Sequence, residues 1–227
     1  MLNLRKLQAL IAITLMAFLF LGLAAAPAEA QRVTKRDRMW KGAGIGAAIG
    51  AAGAYVKGKR EADEILAGAA IGAVVGGGIG AYMDHQQEKL ARIPGTSVER
   101  VDQDTLLVHF DSDVLFAVNS ASLDSDGQAT LEDVSGVLEE YPKTAVIVQG
   151  HTDSTGSEEH NQELSDRRAS SVRGYLVSRG VDDGRVAAVG MGEGYPVASN
   201  DSESGRQQNR RVDILLKAKA GPLRQGG

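Results

Sequence analysis

The chain has 227 residues, of which 43% are hydrophobic and 24% are charged, and this composition is typical of one globular domain with additional segments. A formal net charge of -4 excludes the basic footprint of a nucleic-acid-binding protein. The sequence contains no cysteine, which excludes disulfides, thiolate metal sites, a cysteine nucleophile and the acylated cysteine of bacterial lipoproteins.

The N-terminus has the organisation of a secretory signal peptide. Arg5 and Lys6 precede an uncharged apolar run over residues 7–26, and Ala28-Glu29-Ala30 fits the small-x-small cleavage pattern. We therefore expect residues 1–30 to be a signal peptide that is removed. The alternative is an uncleaved membrane anchor, because the apolar run is about long enough to span a bilayer.

Glycine periodicity is the main feature of the next part of the chain. A short basic segment, residues 31–41, leads into two uncharged glycine-rich stretches that are separated by a charged break. Glycines recur at every fourth position, which would place a smooth groove on one face of a helix. These positions are Gly42, Gly46 and Gly50 in the first stretch and Gly68, Gly72, Gly76 and Gly80 in the second. Glycine weakens a helix in water by about 1 kcal/mol per residue, whereas in lipid it lets helix backbones approach closely. The pattern predicts a membrane-associated helical hairpin over residues 42–83, with homo-oligomers as one possible assembly.

The length of the two stretches does not decide whether this hairpin spans a membrane. The two stretches reach only about 22 and about 28 Å as helices, which is short of a hydrocarbon core of about 30 Å. Trp40, Tyr55 and Tyr82 lie at their ends, where interfacial aromatic residues are expected. The alternatives are a glycine-rich flexible linker and an assembly at the membrane interface.

The second half of the chain has the patterning of a folded domain. Residues 84–97 are polar and contain Pro94-Gly95, which predicts a linker. A domain is predicted over residues 98–217, followed by a disordered tail at 218–227. Strands alternating with helices indicate βαβ units with helices packed on the sheet. The predicted strands are a half-buried one with Leu106, Val108 and Phe110, a central one at 145–148, a third at 186–189 and a fourth at 212–216, and the predicted helices have apolar faces at 131–138 and 164–176.

A candidate binding site follows the predicted central strand. Asp153 lies in the Gly- and Ser-rich loop Gly150-His151-Thr152-Asp153-Ser154-Thr155-Gly156. Asn161 and Arg168 are seven positions apart on the next helix and therefore share a face, with Leu164 between them to pack the helix down. A carboxylate and an arginine placed in this way can together hold a zwitterion.

The neighbouring arginine is expected to face elsewhere. Arg167 points about 100° away from Arg168 on the helix and can pair with Glu163, four residues earlier. The spacing therefore favours Arg168 as the site residue.

These blocks and the closing Asn209-Arg210-Arg211-Val212 stand in the order and spacing of a known family. Over roughly residues 105–216 the chain resembles the OmpA-like C-terminal domain, a peptidoglycan-binding module of Gram-negative envelopes. The glycine-rich stretches resemble the glycine-zipper segments found beside some of these domains. The resemblance implies an α+β fold of the βαβαβ type, with a mixed sheet and helices packed on it. It also implies a protein of the outer membrane with its C-terminal domain in the periplasm, which tethers the membrane to the wall without catalysis, cofactor or metal.

The resemblance also assigns roles to individual residues. Asp153 and Arg168 match the residues that bind the ammonium and the carboxylate of the diaminopimelate in the peptidoglycan stem peptide. Asn161 and Asp111 match positions near the same ligand. Leu164 and Arg211 would support the site, and the asparagine and arginines beside Arg211 would brace it rather than touch the ligand.

Several alternatives stay open at this point. Asp153 and Arg168 can form a purely structural ion pair. The acidic stretches at 111–113 and 124–126 suggest calcium, but they lack the spacing of a glycine-centred calcium loop. An enzyme is disfavoured because His151, Asp153 and Ser154 are too close in sequence for a triad, and no Gly-x-Ser-x-Gly surrounds a serine.

A different class that shares this domain is a flagellar-stator-like energy transducer anchored to the wall. Such a protein needs an uncleaved N-terminal span with a proton-binding carboxylate. None of the apolar stretches in residues 7–26, 42–56 and 65–83 contains one. The mass of the mature N-terminus distinguishes the two readings, because the transducer must keep its span.

Overall fold

The computed structural model of the chain describes residues 78–117 and 119–218. The predicted signal peptide and basic segment lie outside the described residues, as does most of the predicted hairpin with Gly42, Gly46, Gly50, Gly68, Gly72 and Gly76. In chain order the elements are α1 Gly78–Leu90, β1 Ser97–Asp102, β2 Thr105–Asp111, α2 Ser112–Leu115, α3 Ser125–Glu140, β3 Thr144–Gly150, α4 Glu158–Ser178, a 3-10 turn Asp183–Arg185, β4 Val186–Gly190, α5 Glu203–Asn209 and β5 Arg211–Ala218.

The strands form one mixed sheet in the order β1-β2-β5-β3-β4. The pairs β1–β2, β2–β5 and β5–β3 are antiparallel, and β3–β4 is parallel. The unit β3-α4-β4 is a βαβ crossover, while β2 and β3 run in the same direction with β5 between them. The predicted α+β fold with a mixed sheet is therefore confirmed.

The two faces of the sheet belong to two apolar clusters. One face, with Val108, Val148 and Ile214, packs against α1, α3 and α4 in the main core. The other face carries a second buried cluster that includes Leu107 and Leu215. Because side chains alternate across a strand, β2 is buried on both faces. The prediction of a half-buried first strand is wrong for this reason.

The ends of two helices are fixed by particular residues. Asp124 caps α3, since its Oδ1 accepts the Gly127 backbone N–H at 2.7 Å. This acidic stretch therefore has a structural role, and within the described ranges no His, Asp and Glu side chains group into a metal site. Helix α4 is followed by Gly180 with φ +99°, a left-handed conformation that favours glycine.

Helix α1 replaces the predicted linker and corrects the predicted boundary at residues 83/84. It runs through residue 90, and Met83, Gln86 and Leu90 are fully buried against the domain. These positions lie on one helix face, but the polar Gln86 in the middle hides the pattern in the sequence. The next part of the predicted linker, residues 91–96, is a turn that leads into β1, a polar edge strand that begins at Ser97.

Tyr82 was predicted to lie at a membrane interface, but it packs on the domain. Its ring meets that of Tyr141 edge-on at 5.0 Å between centroids, and its hydroxyl oxygen accepts the Lys143 backbone N–H at 3.0 Å. Gly80 lies two residues earlier in α1, where an added Cβ would meet no atom outside its own helix within 4 Å in the described part of the chain. The last groove position thus belongs to a helix that docks on the C-terminal domain.

The end of the domain also differs slightly from the prediction. Ala218 was assigned to the disordered tail, but it is the last residue of β5 and is buried. Its backbone N–H donates to the Asp104 carbonyl at 2.8 Å. The rest of the predicted tail lies outside the described residues. No helix within residues 78–117 and 119–218 is long and apolar enough to cross a membrane.

Candidate functional site

A cavity of about 410 Å³ lies where β3 ends and α4 begins. Most of the residues that line it are polar or charged, and both signs of charge are present: Asp113, Asn119, Thr152, Asp153, Thr155, His160, Asn161, Leu164, Arg168, Glu203, Arg206 and Arg210. The structure thus brings together four of the predicted site residues, Asp153, Asn161, Leu164 and Arg168. Asp111 and Arg211 do not line it.

Two glycines let α4 approach the sheet closely enough to form this cavity. A Cβ on Gly150, the last residue of β3, would overlap the Ser165 carbonyl oxygen of α4. A Cβ on Gly190, the last residue of β4, would overlap the Asp166 backbone nitrogen. The helix therefore rests directly on both strand ends, and its Asn161–Arg168 face lies beside the loop that carries Asp153.

The Asp153 carboxylate is held by two donors. Its Oδ1 accepts the Thr155 backbone N–H at 2.8 Å, and its Oδ2 accepts Nη1 of Arg210 at 2.8 Å. Burial opposes the charged form, but these hydrogen bonds outweigh it and hold the pKa of Asp153 below its ordinary value. Asp153 is therefore an anion at neutral pH.

Arg168 is a buried cation at the other side of the cavity. Only 4% of it is exposed, its Nε donates to the Ser120 carbonyl at 2.9 Å, and its guanidinium carbon lies 5.2 Å from the centroid of the Phe116 ring. Among the described residues, no carboxylate oxygen lies within 4.0 Å of its nitrogens. Burial lowers the pKa of Arg168, and the nearby charges of Asp113 and Asp153 act against that change. An arginine remains charged at neutral pH under such conditions, so this one is available to an external anion.

Asn161 and Leu164 complete the helix side of the cavity. The Asn161 amide nitrogen donates to the Asp153 carbonyl at 3.2 Å and to Oε2 of Glu193 at 2.5 Å. Asn161 therefore fixes the loop that presents Asp153. The predicted pairing of Arg167 is confirmed, since its Nη1 lies 2.6 Å from Oε1 of Glu163 on the exposed side of α4.

Asp111 and Arg211 lie next to the cavity rather than in it. Asp111 is exposed at the N-terminus of α2, and the following turn carries Asp113 into the cavity wall instead. Arg211 is buried, and its Nε donates to Oδ2 of Asp213 at 3.0 Å. Arg211 thus belongs to the layer beneath the site, in keeping with a supporting role.

That layer also contains His151, the residue at the base of the site loop. It is 1% exposed, and its Nε2 lies 3.4 Å from Oδ2 of Asp213. Burial, together with the neighbouring Arg211 cation, lowers the pKa of His151 to about 3. His151 is therefore neutral at physiological pH and serves as a packed element under the loop.

The sequence interpretation missed Arg210 as a cavity residue and gave it only a bracing role. Its position follows from strand pairing, because Gly150 at the end of β3 lies opposite Val212 near the start of β5. The residues just before β5 therefore meet the loop just after β3. Asn209 holds the loop that follows β4, since its Oδ1 accepts the Val197 and Ala198 N–H groups at 2.8 and 3.0 Å.

Comparison with known proteins places these features in a family. Residues 115–210 match the OmpA family, and residues 5–84 match the YMGG-like Gly-zipper family. The probable lipoprotein YiaD of Escherichia coli (strain K12) is 43% identical over 180 residues, which cover 77% of this chain and 82% of that protein.

Matches to other proteins concern the C-terminal domain. Outer membrane protein A of Bordetella avium is 40% identical over 109 residues, which are 48% of this chain and 56% of that protein. The solved structure of the cell wall anchor of the T6SS from Pseudomonas aeruginosa superimposes with a TM-score of 0.53 at 33% identity, covering 59% of this chain and 99% of that one. The chain belongs to the OmpA family, and a YMGG-like glycine-zipper segment precedes its OmpA domain.

Proposed function

We propose that this domain binds peptidoglycan non-covalently by holding the zwitterionic side-chain end of diaminopimelate in the stem peptide. The observation that carries the proposal is the buried Arg168, which faces the same cavity as the Asp153 anion and has no carboxylate within 4.0 Å among the described residues. A buried charge without a partner is costly, so a ligand anion that pairs with it is strongly favoured.

The charge of the cavity suits such a ligand. Three carboxylates and three arginines line it, so their charges sum to zero. The charges are unevenly distributed. The carboxylates of Asp113, Asp153 and Glu203 lie around Arg210, whereas Arg168 contacts none of them. The end of diaminopimelate carries an ammonium and a carboxylate on one carbon. Arg168 would take the carboxylate through its planar guanidinium, and Asp153 would take the ammonium.

The role that follows is a mechanical one, without catalysis. Membership of the OmpA family and the similarity to a protein described as a cell wall anchor support wall binding. The matches to outer membrane protein A and to a probable lipoprotein support the outer membrane as the location, with the C-terminal domain in the periplasm. In this proposal the protein tethers that membrane to the wall.

The ligand chemistry can be tested by comparing two wall types. The unmodified protein is expected to bind sacculi that contain diaminopimelate and to bind poorly to walls with lysine in that position. Lysine keeps the ammonium but lacks the carboxylate, which leaves Arg168 unpaired, and a site built for a polar group rejects the analogue without it. Sedimentation of the protein with each purified wall measures the difference, and comparable binding to both would remove Arg168 from its proposed role.

The membrane contact is proposed from the glycine pattern before residue 78. An Asp153→Ala protein, which lacks the wall contact, is expected to stay in the membrane fraction after carbonate extraction. Small residues that let helices meet closely in lipid are the reason for this expectation. Recovery of that variant wholly in the soluble periplasmic fraction would instead support a glycine-rich linker.

A further inference from the structure

We infer that Arg210 determines selectivity, allowing the cavity to hold zwitterions while rejecting ligands that carry only a positive charge. This inference rests on the proposed function and adds a residue that weakens the binding of ligands with only a positive charge. Its basis is the set of charges that Arg210 contacts and the way they divide the cavity.

Arg210 lies at the centre of the acidic part of the cavity. Its Nη1 donates to Oδ2 of Asp153 at 2.8 Å, and its Nη2 lies 3.1 Å from Oε1 of Glu203 and 3.8 Å from Oδ2 of Asp113. All three carboxylates line the cavity. One guanidinium therefore neutralises part of a cluster that would otherwise attract any cation.

Arg210 competes with an incoming ligand ammonium for the Asp153 carboxylate, because it already donates a hydrogen bond to it. A ligand ammonium that approaches Asp153 is attracted by that carboxylate and repelled by the guanidinium beside it, and both forces fall off with distance in the same way. The hydrogen bond to Asp153 raises the pKa of Arg210, so this opposing charge is present at every physiological pH. An ammonium alone consequently gains little by entering.

A zwitterion gains more because its second charge meets Arg168. That arginine is buried, and among the described residues no carboxylate oxygen lies within 4.0 Å of its nitrogens, so a ligand carboxylate can pair with it directly. Binding then depends on both ligand charges being present. Selectivity of this kind, obtained by an element that penalises the wrong ligand, is common in specific binding sites.

Arg206 supplies a matched control on the same wall. It also lines the cavity and pairs with Glu203 at 2.7 Å, but it contacts neither Asp153 nor Asp113. Removing its charge changes the total charge of the cavity by the same amount as removing that of Arg210. Only the removal of the Arg210 charge takes away the cation that pairs with the Asp153 carboxylate.

The test compares Arg210→Gln with Arg206→Gln in the full chain, using stem peptides that differ only in diaminopimelate or lysine at the third position. Glutamine removes the charge and leaves a polar side chain in the cavity wall. Calorimetry is expected to show at least about tenfold tighter binding of the lysine peptide to Arg210→Gln, or about 1.4 kcal/mol, with the diaminopimelate peptide changed less than about threefold. Arg206→Gln and the charge-retaining Arg210→Lys are expected to keep the selectivity of the unmodified protein.

Two results would overturn the inference. Equal weakening of both peptides by Arg210→Gln, in a protein whose thermal unfolding is unchanged, would show that Arg210 only positions Asp153. Unchanged selectivity would show that Arg168 alone sets it. Failure of the unmodified protein to bind the diaminopimelate peptide is a separate result that overturns the proposed function, and with it the inference.

Discussion

Replacing Met83 and Leu90 together by alanine is expected to remove most of the stability of the C-terminal domain. Both side chains are fully buried in α1, and each truncation leaves a cavity that costs about 2–5 kcal/mol. They lie two helical turns apart, so the costs should nearly add, to a sum comparable with the entire stability of a typical domain, about 5–15 kcal/mol. Urea unfolding followed by circular dichroism measures the loss.

The exposed face of the same helix provides the control for this experiment. Glu88 is exposed and pairs with Arg92 four residues later, so Glu88→Ala is expected to change the unfolding free energy by no more than about 0.5 kcal/mol. If residues 78–97 did not pack on the domain, the double substitution would be as harmless as Glu88→Ala. The structure also indicates that a wall-binding fragment beginning at residue 98 would lack part of its core, whereas one beginning at residue 78 would keep it.

Sequence patterns predicted correctly those features that depend on a single strand or helix. The apolar run at 145–148 predicted a central strand, and β3 is buried along its whole length. Helical spacing predicted that Asn161 and Arg168 face the Asp153 loop while Arg167 turns to Glu163, and the structure has this arrangement. Periodicity succeeds here because backbone geometry alone fixes which side chains share a face.

Features that depend on distant contacts were not accessible from the sequence. Arg210 reaches Asp153 across a separation of 57 residues, a contact that exists only because β5 pairs with β3. Helix α1 was missed because its buried face includes Gln86, whose Oε1 accepts a hydrogen bond from the Thr144 hydroxyl at 3.2 Å. A polar residue in a core becomes intelligible only when its partner is known.

The distinction between Asp111 and Asp113 has the same origin. Asp111 is the last residue of β2 and Asp113 lies two positions later, and the resemblance pointed to Asp111. The short helix α2 begins between them and turns Asp113 toward the cavity, where its Oδ2 lies 3.8 Å from Nη2 of Arg210. A rotation of this kind is set by how one turn packs on its neighbours, and the residue types alone do not encode it.

Arg168→Ala is expected to abolish binding to diaminopimelate-containing sacculi, while Arg167→Ala leaves it nearly unchanged. Losing a buried, charge-assisted pair costs about 2–5 kcal/mol of binding, which corresponds to a factor between about 30 and several thousand. The Arg167 side chain is half exposed and pairs with Glu163, and such surface pairs contribute about 1 kcal/mol or less. Sedimentation with purified sacculi over a range of protein concentrations measures both affinities.

Folding must be separated from binding in this comparison, because Arg168 also donates to the Ser120 carbonyl and lies over the Phe116 ring. Arg168→Lys serves that purpose. It retains the positive charge but not the planar fork, so it is expected to bind more weakly than the unmodified protein and more tightly than Arg168→Ala. Thermal unfolding identifies any variant whose loss is structural. Equal losses from Arg167→Ala and Arg168→Ala, both folded, would contradict the assignment of the binding face of α4, because only Arg168 lines the cavity with Asp153.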